Sequence, residues 1–196
     1  MASLAYYDMQ EADIANTVKP TAIWRNLTIS DIDSLIHIAN AIHPDLPESA
    51  EVFAESVKLF PEGCLALVDC QSDELCGYVI SHPICYRQPP ALNNSSGRIV
   101  LDANQYYIHD LAILPGYHGC GYAKACMDKI VAVARRYPTT SLVSVYGTTS
   151  FWGRFGFVPT EIDEGLKTKL LAYGDDAVYL ERQNEVDQNP PDTKTD

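Results

Sequence analysis

A chain of 196 residues that is 46% hydrophobic and 20% charged has the size and composition of one soluble domain with a full core. Its formal net charge of −12 argues against nucleic acid or anionic membrane as a partner and suits a cationic small substrate. No apolar run reaches the roughly 18 residues of a membrane span.

The first twenty residues, MASLAYYDMQEADIANTVKP, show no sustained periodicity, no basic n-region and no apolar h-region. They read as a loosely ordered extension (1–20) of a cytoplasmic protein, ahead of a single domain over 21–183. Residues 22–28 alternate as a first strand. Ser30 has the position of an N-cap, with Asp31 and Asp33 in the first turn and Ile32, Leu35, Ile36, Ala39 and Ile42 at helical spacing. Pro44 and Pro47 break this helix, and a second is expected over 48–60, with Val52, Phe53, Ser56, Val57 and Phe60 on one face.

Residues 64–70 and 76–85 read as a hairpin joined by Gln71-Ser72-Asp73-Glu74, followed by a Pro/Asn/Ser/Gly loop over 87–98. The most regular strand spans 106–114. The most regular helix spans 122–137, striped by Ala123, Met127, Ile130, Val131 and Ala134 and stopped by Pro138. A strand over 141–146, a short helix over 149–155 and a last strand over 177–180 complete the order. Residues 184–196 are polar, contain Pro190-Pro191 and read as a disordered acidic tail. The order β-α-α-β-β-β-α-β-α-β predicts a mixed α/β (α+β) fold. Its central sheet is mostly antiparallel, with one parallel β-α-β unit and helices on both faces.

The six cysteines include no C-x-x-C pair and no Cys near a matched His pair at zinc spacing, so no metal is expected. Cys120 is the distinctive one, in a glycine loop at a helix start. That loop, His118-Gly119-Cys120-Gly121, follows the strand and the Pro115-Gly116 turn and opens directly into the long helix. Free backbone N–H groups at a helix N-terminus form a site for phosphate, and glycine lets a ligand approach the backbone closely. A nucleotide-type cofactor, and hence an enzyme, follows.

The segment from Tyr106 to Val158 resembles the GNAT superfamily of acetyl-CoA-dependent N-acetyltransferases. His118-Gly119-Cys120-Gly121-Tyr122-Ala123 is similar to its Gln/Arg-x-x-Gly-x-Gly/Ala loop, with His118 in place of Arg or Gln. Phe151-Trp152-x-x-Phe155-Gly156-Phe157 is similar to its Phe/Leu-Tyr-x-x-x-Gly-Phe segment, with Trp152 in place of Tyr. The resemblance implies a GNAT fold with acetyl-CoA as acyl donor. Leu111, Ala112 and Ile113 would meet the pantetheine arm at a splayed strand edge. His118, Gly119, Cys120, Gly121, Tyr122, Ala123 and Lys124 would surround the pyrophosphate, and Thr148 and Trp152 would line the other side of the thioester.

The strand Tyr107-Ile108-His109-Asp110-Leu111-Ala112-Ile113 resembles that of arylalkylamine (serotonin-type) N-acetyltransferases, where two histidines at alternate positions serve as base through water. Here those positions carry Tyr107 and His109. An alkyl ammonium with a pKa of about 10.4 must lose a proton before it attacks, and a histidine near 6.5 suits that task. Alternation places His109 on the side of Leu111 and Ile113, with Asp110 on the opposite face as a structural carboxylate. Trp152 is no proton source, so the departing thiolate lacks its usual donor. Tyr107 and Tyr146 are candidates, and His43, between the first two helices, is either a ligand contact or an exposed loop residue. The expectation is an N-acetyltransferase of a small primary amine acting through a ternary complex, as a monomer or homodimer. The alternatives are a CoA-binding module without transfer, and an acetyltransferase of protein or peptide amines.

Overall fold

Asp31, rather than Ser30, organises the start of the first helix. Thr28 donates to Asp31 Oδ2 through its N–H (2.8 Å) and hydroxyl (2.7 Å), and Arg25 grips both carboxylate oxygens. With the Asp31 N–H donating to the Thr28 carbonyl at 3.0 Å, these bonds close a short 3₁₀ turn, Ile29–Asp31. Ser30 therefore lies inside the turn. The Arg25 fork, opposed by partial burial, holds the Asp31 carboxyl down at about 2. The computed structural model describes residues 20–93 and 102–185, so the N-terminal extension, most of the tail and part of the 87–98 loop lie outside the described residues.

The described chain runs β1 (Ala22–Asn26), α1 (Ile32–Ile42), α2 (Ala50–Leu59), β2 (Cys64–Asp69), β3 (Leu75–Ile84) and β4 (Gln105–Ile113). It continues through α3 (Tyr122–Ala134), β5 (Thr139–Ser144), α4 (Thr149–Gly153), β6 (Val158–Pro159), α5 (Glu164–Leu170) and β7 (Val178–Gln183). The expected hairpin and β-α-β unit are present. Helix α2 starts after Ser49, which leaves Glu48 in the α1–α2 junction. Two elements were not foreseen. Strand β6 has two residues, and α5 buries only Leu166 and Leu170 behind an Asp163 N-cap that accepts from the Leu166 N–H at 2.8 Å. Neither is long enough to show a clear period.

One seven-stranded sheet has the order β1-β2-β3-β4-β5-β7-β6. Among the described strands only β4 and β5 pair in parallel. On one face α1 and α2 cover Ala66, Val68, Tyr78, Ile80 and Ala112, and α5 covers Tyr179. On the other, α3 and α4 cover Leu65, Val79, Tyr106, Ile108, Leu142 and Leu180. Helices on both faces leave β2 wholly buried and β3 nearly so, and burial of such apolar faces is the main favourable term in folding. Asn184, read from sequence as the start of the tail, donates to the carbonyls of Ala134 and Tyr137 at 3.0 and 2.9 Å. It thereby satisfies carbonyls at the end of α3. Among the described residues no helix is long and apolar enough to cross a membrane.

Candidate active site

Strand β4 changes partners part-way along. Tyr106, Tyr107 and Ile108 pair with Thr140, Ser141 and Leu142 of β5, and beyond them β4 has no β5 partner. At the same point Ile80 of β3 pairs with Asp110 while Ser81 pairs with Ile108, so His109 is an extra residue in the ladder. Such a bulge bends a strand and re-aims its side chains. It overturns the simple alternation expected from sequence. Leu111 packs with Ile108 toward α3, whereas Ala112 packs with Tyr78 and Ile80 toward α1 and α2. His109 and Asp110, although consecutive, both reach residues of the α1–α2 junction. Asp110 is thus on the same face as His109, and His109 is not on the face of Leu111.

A cleft of about 1530 Å³ opens where β4 and β5 separate. One end is formed by the loop before α3. Gly119 and Gly121 have φ of 70° and 87°, and a Cβ on either would meet nothing within 4 Å. Their backbone lies in the left-handed region that disfavours a side chain, and the space beside them is open. The first intrahelical bond of α3 runs from the Ala125 N–H to the Gly121 carbonyl at 3.0 Å, and Gly121 offers no side-chain cap. The N–H groups of Tyr122, Ala123 and Lys124 therefore have no intrahelical acceptor and carry the positive end of the helix dipole. These features fit a phosphate group.

The loop is held by its flanks. His118 Nε2 donates to the Ile113 carbonyl at 2.7 Å, and Tyr117 donates to Asp69 at 2.7 Å. The Tyr122 hydroxyl donates to the Pro20 carbonyl and accepts from the Ala22 N–H, and Trp24 Nε1 donates to the Tyr122 carbonyl at 2.9 Å. His118 thus ties the loop to the end of β4. Half-exposed Cys120 sits with Sγ 3.6 Å from the His118 carbonyl. Leu111, Ala112, Ile113, Ala123, Lys124 and Thr148 all line the cleft, Ala112 being buried with the α1–α2 cluster.

The opposite end carries two histidine–carboxylate pairs. His109 Nε2 lies 2.6 Å from Glu48 Oε2, with both side chains almost fully buried. Burial opposes the charged imidazole, but Glu48, with a smaller effect from Asp110, raises the His109 pKa above its ordinary value. The carboxylate fixes Nε2 as the donor and leaves Nδ1 buried with no protein partner. His43 Nε2 lies 3.0 Å from Asp110 Oδ1, and Tyr78 donates to the other Asp110 oxygen. Burial opposes the charged form of His43 too, but Asp110 and Glu48 outweigh it and raise the pKa; its Nδ1 is likewise buried, with no partner among the described residues. His43 is therefore part of the site rather than an exposed loop residue.

Tyr107 stands behind the cleft wall. It is fully buried, its ring packs edge-on to His82 and His109, and burial together with neighbouring Tyr173 raises its pKa far above the usual tyrosine range. Trp152 is 8% exposed and packs edge-on to Phe151 and Phe157, with one edge in the cleft. Sequence reasoning missed Glu48, His82 and Tyr173, which lie far from His109 along the chain: sheet register brings His82 to Tyr107, and the α1–α2 junction and the turn after α5 bring Glu48 and Tyr173. His82 pairs with Tyr107, its ring 6.0 Å from that of His109, and burial and the neighbouring His109 push its pKa down to about 4. Among the described residues no group of three or more His, Cys, Asp or Glu is placed to hold a metal.

A splayed parallel strand pair beside an uncapped, glycine-started helix is an arrangement that suits an acyltransferase. A model of the acetyltransferase (GNAT) family matches residues 31–157, and the chain belongs to that family. Its fold is similar to that of the loading GNATL domain of CurA from Lyngbya majuscula (TM-score 0.64, 13% identity, covering 83% of this chain and 98% of that one). It is also similar to the GphF GNAT-like decarboxylase in complex with isobutyryl-CoA (0.64, 14%, covering 82% and 98%). A third is the NatC complex bound to Gag peptide and CoA (0.61, 19%, covering 83% and 98%). Comparison with curated protein sequences gives no match. At these identities the likeness is one of fold.

Proposed function

We propose that the protein transfers acetyl from acetyl-CoA to a small primary amine, of the arylalkylamine kind, within a ternary complex. The observation that carries this reading is the Glu48–His109 pair, seated at the β4 bulge in the same cleft as the uncapped start of α3. The N–H groups from Gly119 to Lys124 would hold the pyrophosphate of CoA, with Leu111 and Ile113 along its pantetheine arm and Thr148 and Trp152 beyond. The bound donor supplies the activated acetyl group. In the chain itself, Glu48 keeps the Nε2–H of His109 engaged, so that Nδ1 is the atom that takes the proton of the incoming ammonium.

The acceptor end supports the amine class. Ile42, Leu46, Leu92, Tyr146 and Tyr173 give it an apolar and aromatic lining, and Glu48 and Asp110 give it negative charge. An ammonium on a short aromatic or aliphatic body satisfies both. The test is a thiol-release screen with acetyl-CoA over arylalkylamines, polyamines, amino acids and peptides, with His109→Ala beside the wild type. Arylalkylamines are expected to give the highest kcat/KM, and His109→Ala to lose about 10²-fold or more. Failure to bind acetyl-CoA in calorimetry would overturn the reading. Binding without release across the panel would make the protein a CoA-binding module, and preference for peptides would move the acceptor to protein amines.

A further inference from the structure

We infer that His43, held by Asp110, is the acid that protonates the departing thiolate. This inference rests on the acetyl-transfer reading above. Trp152 leaves the reaction without a phenol at the position that resembles the family donor, and Tyr107 is sealed behind the cleft wall. The structure supplies a different group. His43 closes α1, its Nε2 meets Asp110 of β4, and its ring stacks on Tyr146, which follows β5, with centroids 5.7 Å apart and planes at 9°. His43 thus spans the two strands on either side of their separation, where the acyl group must sit if Leu111 and Ile113 align its arm.

Tyr146 is held there by its backbone. Its φ of 54° lies in the left-handed region, uncommon for a bulky residue and a conformation that persists only where surroundings fix it. The Gly147 N–H, donating to Asp176 at 2.9 Å, anchors the next residue. The groups facing His43 are Asp110 from β4, Tyr78 from β3 behind it, Glu48 from the α1–α2 junction, and Tyr146. The two carboxylates favour the imidazolium, and with Nε2 committed to Asp110 the proton available for donation is on Nδ1.

The balance is then complete. The amine nitrogen forms a bond to the carbonyl carbon and the carbon–sulfur bond breaks. Nitrogen loses two protons, one to Nδ1 of His109 and one to solvent, and sulfur takes the Nδ1 proton of His43. A thiolate whose conjugate acid has a pKa of about 8.5 takes a proton readily from an imidazolium. Each histidine is reset by exchange with solvent, and the net products are amide, thiol and a proton.

The test compares wild type, His43→Gln and His109→Gln over pH 6–9.5, with ring protonation of His43 followed by NMR in the acetyl-CoA complex. Glutamine keeps a donor toward Asp110. The expected result is a bell-shaped kcat profile for wild type. In His43→Gln the alkaline fall should be lost and the plateau lowered roughly 10- to 100-fold, while the acid limb and the Kd for acetyl-CoA stay unchanged. His109→Gln should lose the acid limb instead. A His43 ring that is neutral at pH 7, or a His43→Gln variant that keeps the alkaline limb or alters only the KM of the amine, overturns the assignment while leaving acetyl transfer standing. A wild type that binds acetyl-CoA but releases no thiol overturns both.

Discussion

Glu48 and His109 are 61 residues apart in sequence and 2.6 Å apart in the fold. The contact is made because α2 starts late enough to leave Glu48 outside the helix, and because the β4 bulge turns His109 toward it. One consequence is a prediction for Glu48→Gln. Glu48 raises the His109 pKa against the opposing effect of burial, so removing its charge should move the acid limb of the rate profile to lower pH. The plateau should fall by about tenfold or more as the ring loses its fixed tautomer. Stability should follow the same linkage. A raised histidine pKa stabilises the fold fully below the ordinary value of 6.5 and loses that effect as pH rises through the folded value. The stability advantage of wild type over Glu48→Gln should therefore shrink with rising pH. An acid limb in Glu48→Gln that coincides with wild type would refute the coupling.

His82 provides the opposite sign. Its pKa is pushed down to about 4 by burial and by His109, so the folded state resists a proton that the unfolded state takes up. Its contribution is present above about 6.5 and is lost as pH falls toward about 4. The total is of order 3 kcal/mol. Urea denaturation of wild type and His82→Gln between pH 4 and 7.5 isolates this contribution as a difference in slope. Wild-type stability should drop more steeply on acidification, and parallel curves would show that His82 does not resist protonation.

How far this site could be read from sequence depends on the range of each interaction. The loop from His118 to Ala123 was legible because strand, turn, glycines and helix lie within a short stretch, and the positive φ of Gly119 and Gly121 follows from the residue type. The hairpin and α3 were legible through period. The face of Asp110 was not, because nothing in His109-Asp110 marks a bulge: there is no glycine or proline, and period-two alternation is the default beyond it. The acceptor wall was hidden for another reason. Glu48, His82 and Tyr173 are ordinary residues in their local windows and meet only when β3, β4, the α1–α2 junction and the turn after α5 are assembled. Helix α5 was missed because two buried leucines are too few to define a stripe.

The glycine loop before α3 should respond to a single methyl group. In Gly121→Ala the new Cβ meets no protein atom within 4 Å, so the fold pays only for the backbone conformation, φ 87°, at a cost of about 1–2 kcal/mol. That Cβ nevertheless enters the space beside the uncapped helix start. The Kd for CoA, measured by calorimetry, should rise at least tenfold, well beyond what the small fall in Tm implies. Unchanged CoA affinity would show that the ligand does not approach the loop.

Tyr122 tests whether the loop is preorganised from behind. Its hydroxyl links the Ala22 N–H to the Pro20 carbonyl, and its own carbonyl receives Trp24 Nε1. The first residue of α3 is thereby tied to the edge strand β1. Tyr122→Phe removes the hydroxyl and leaves the buried Ala22 N–H without an acceptor, a loss of about 1–3 kcal/mol. The side chain is bound on the β1 side, so the chemistry between His109 and His43 should be untouched. The expected signature is a several-fold higher KM for acetyl-CoA with kcat within about twofold of wild type. Trp24 gives an independent readout. Its indole N–H remains on the Tyr122 carbonyl, and the fluorescence of Trp24, read in a Trp152→Phe background because Trp152 lines the cleft, should still change on CoA titration, with the midpoint shifted to higher concentration by the same factor as KM. A kcat loss larger than the KM change would place Tyr122 in the chemical step, and an unchanged midpoint would uncouple β1 from the cofactor loop.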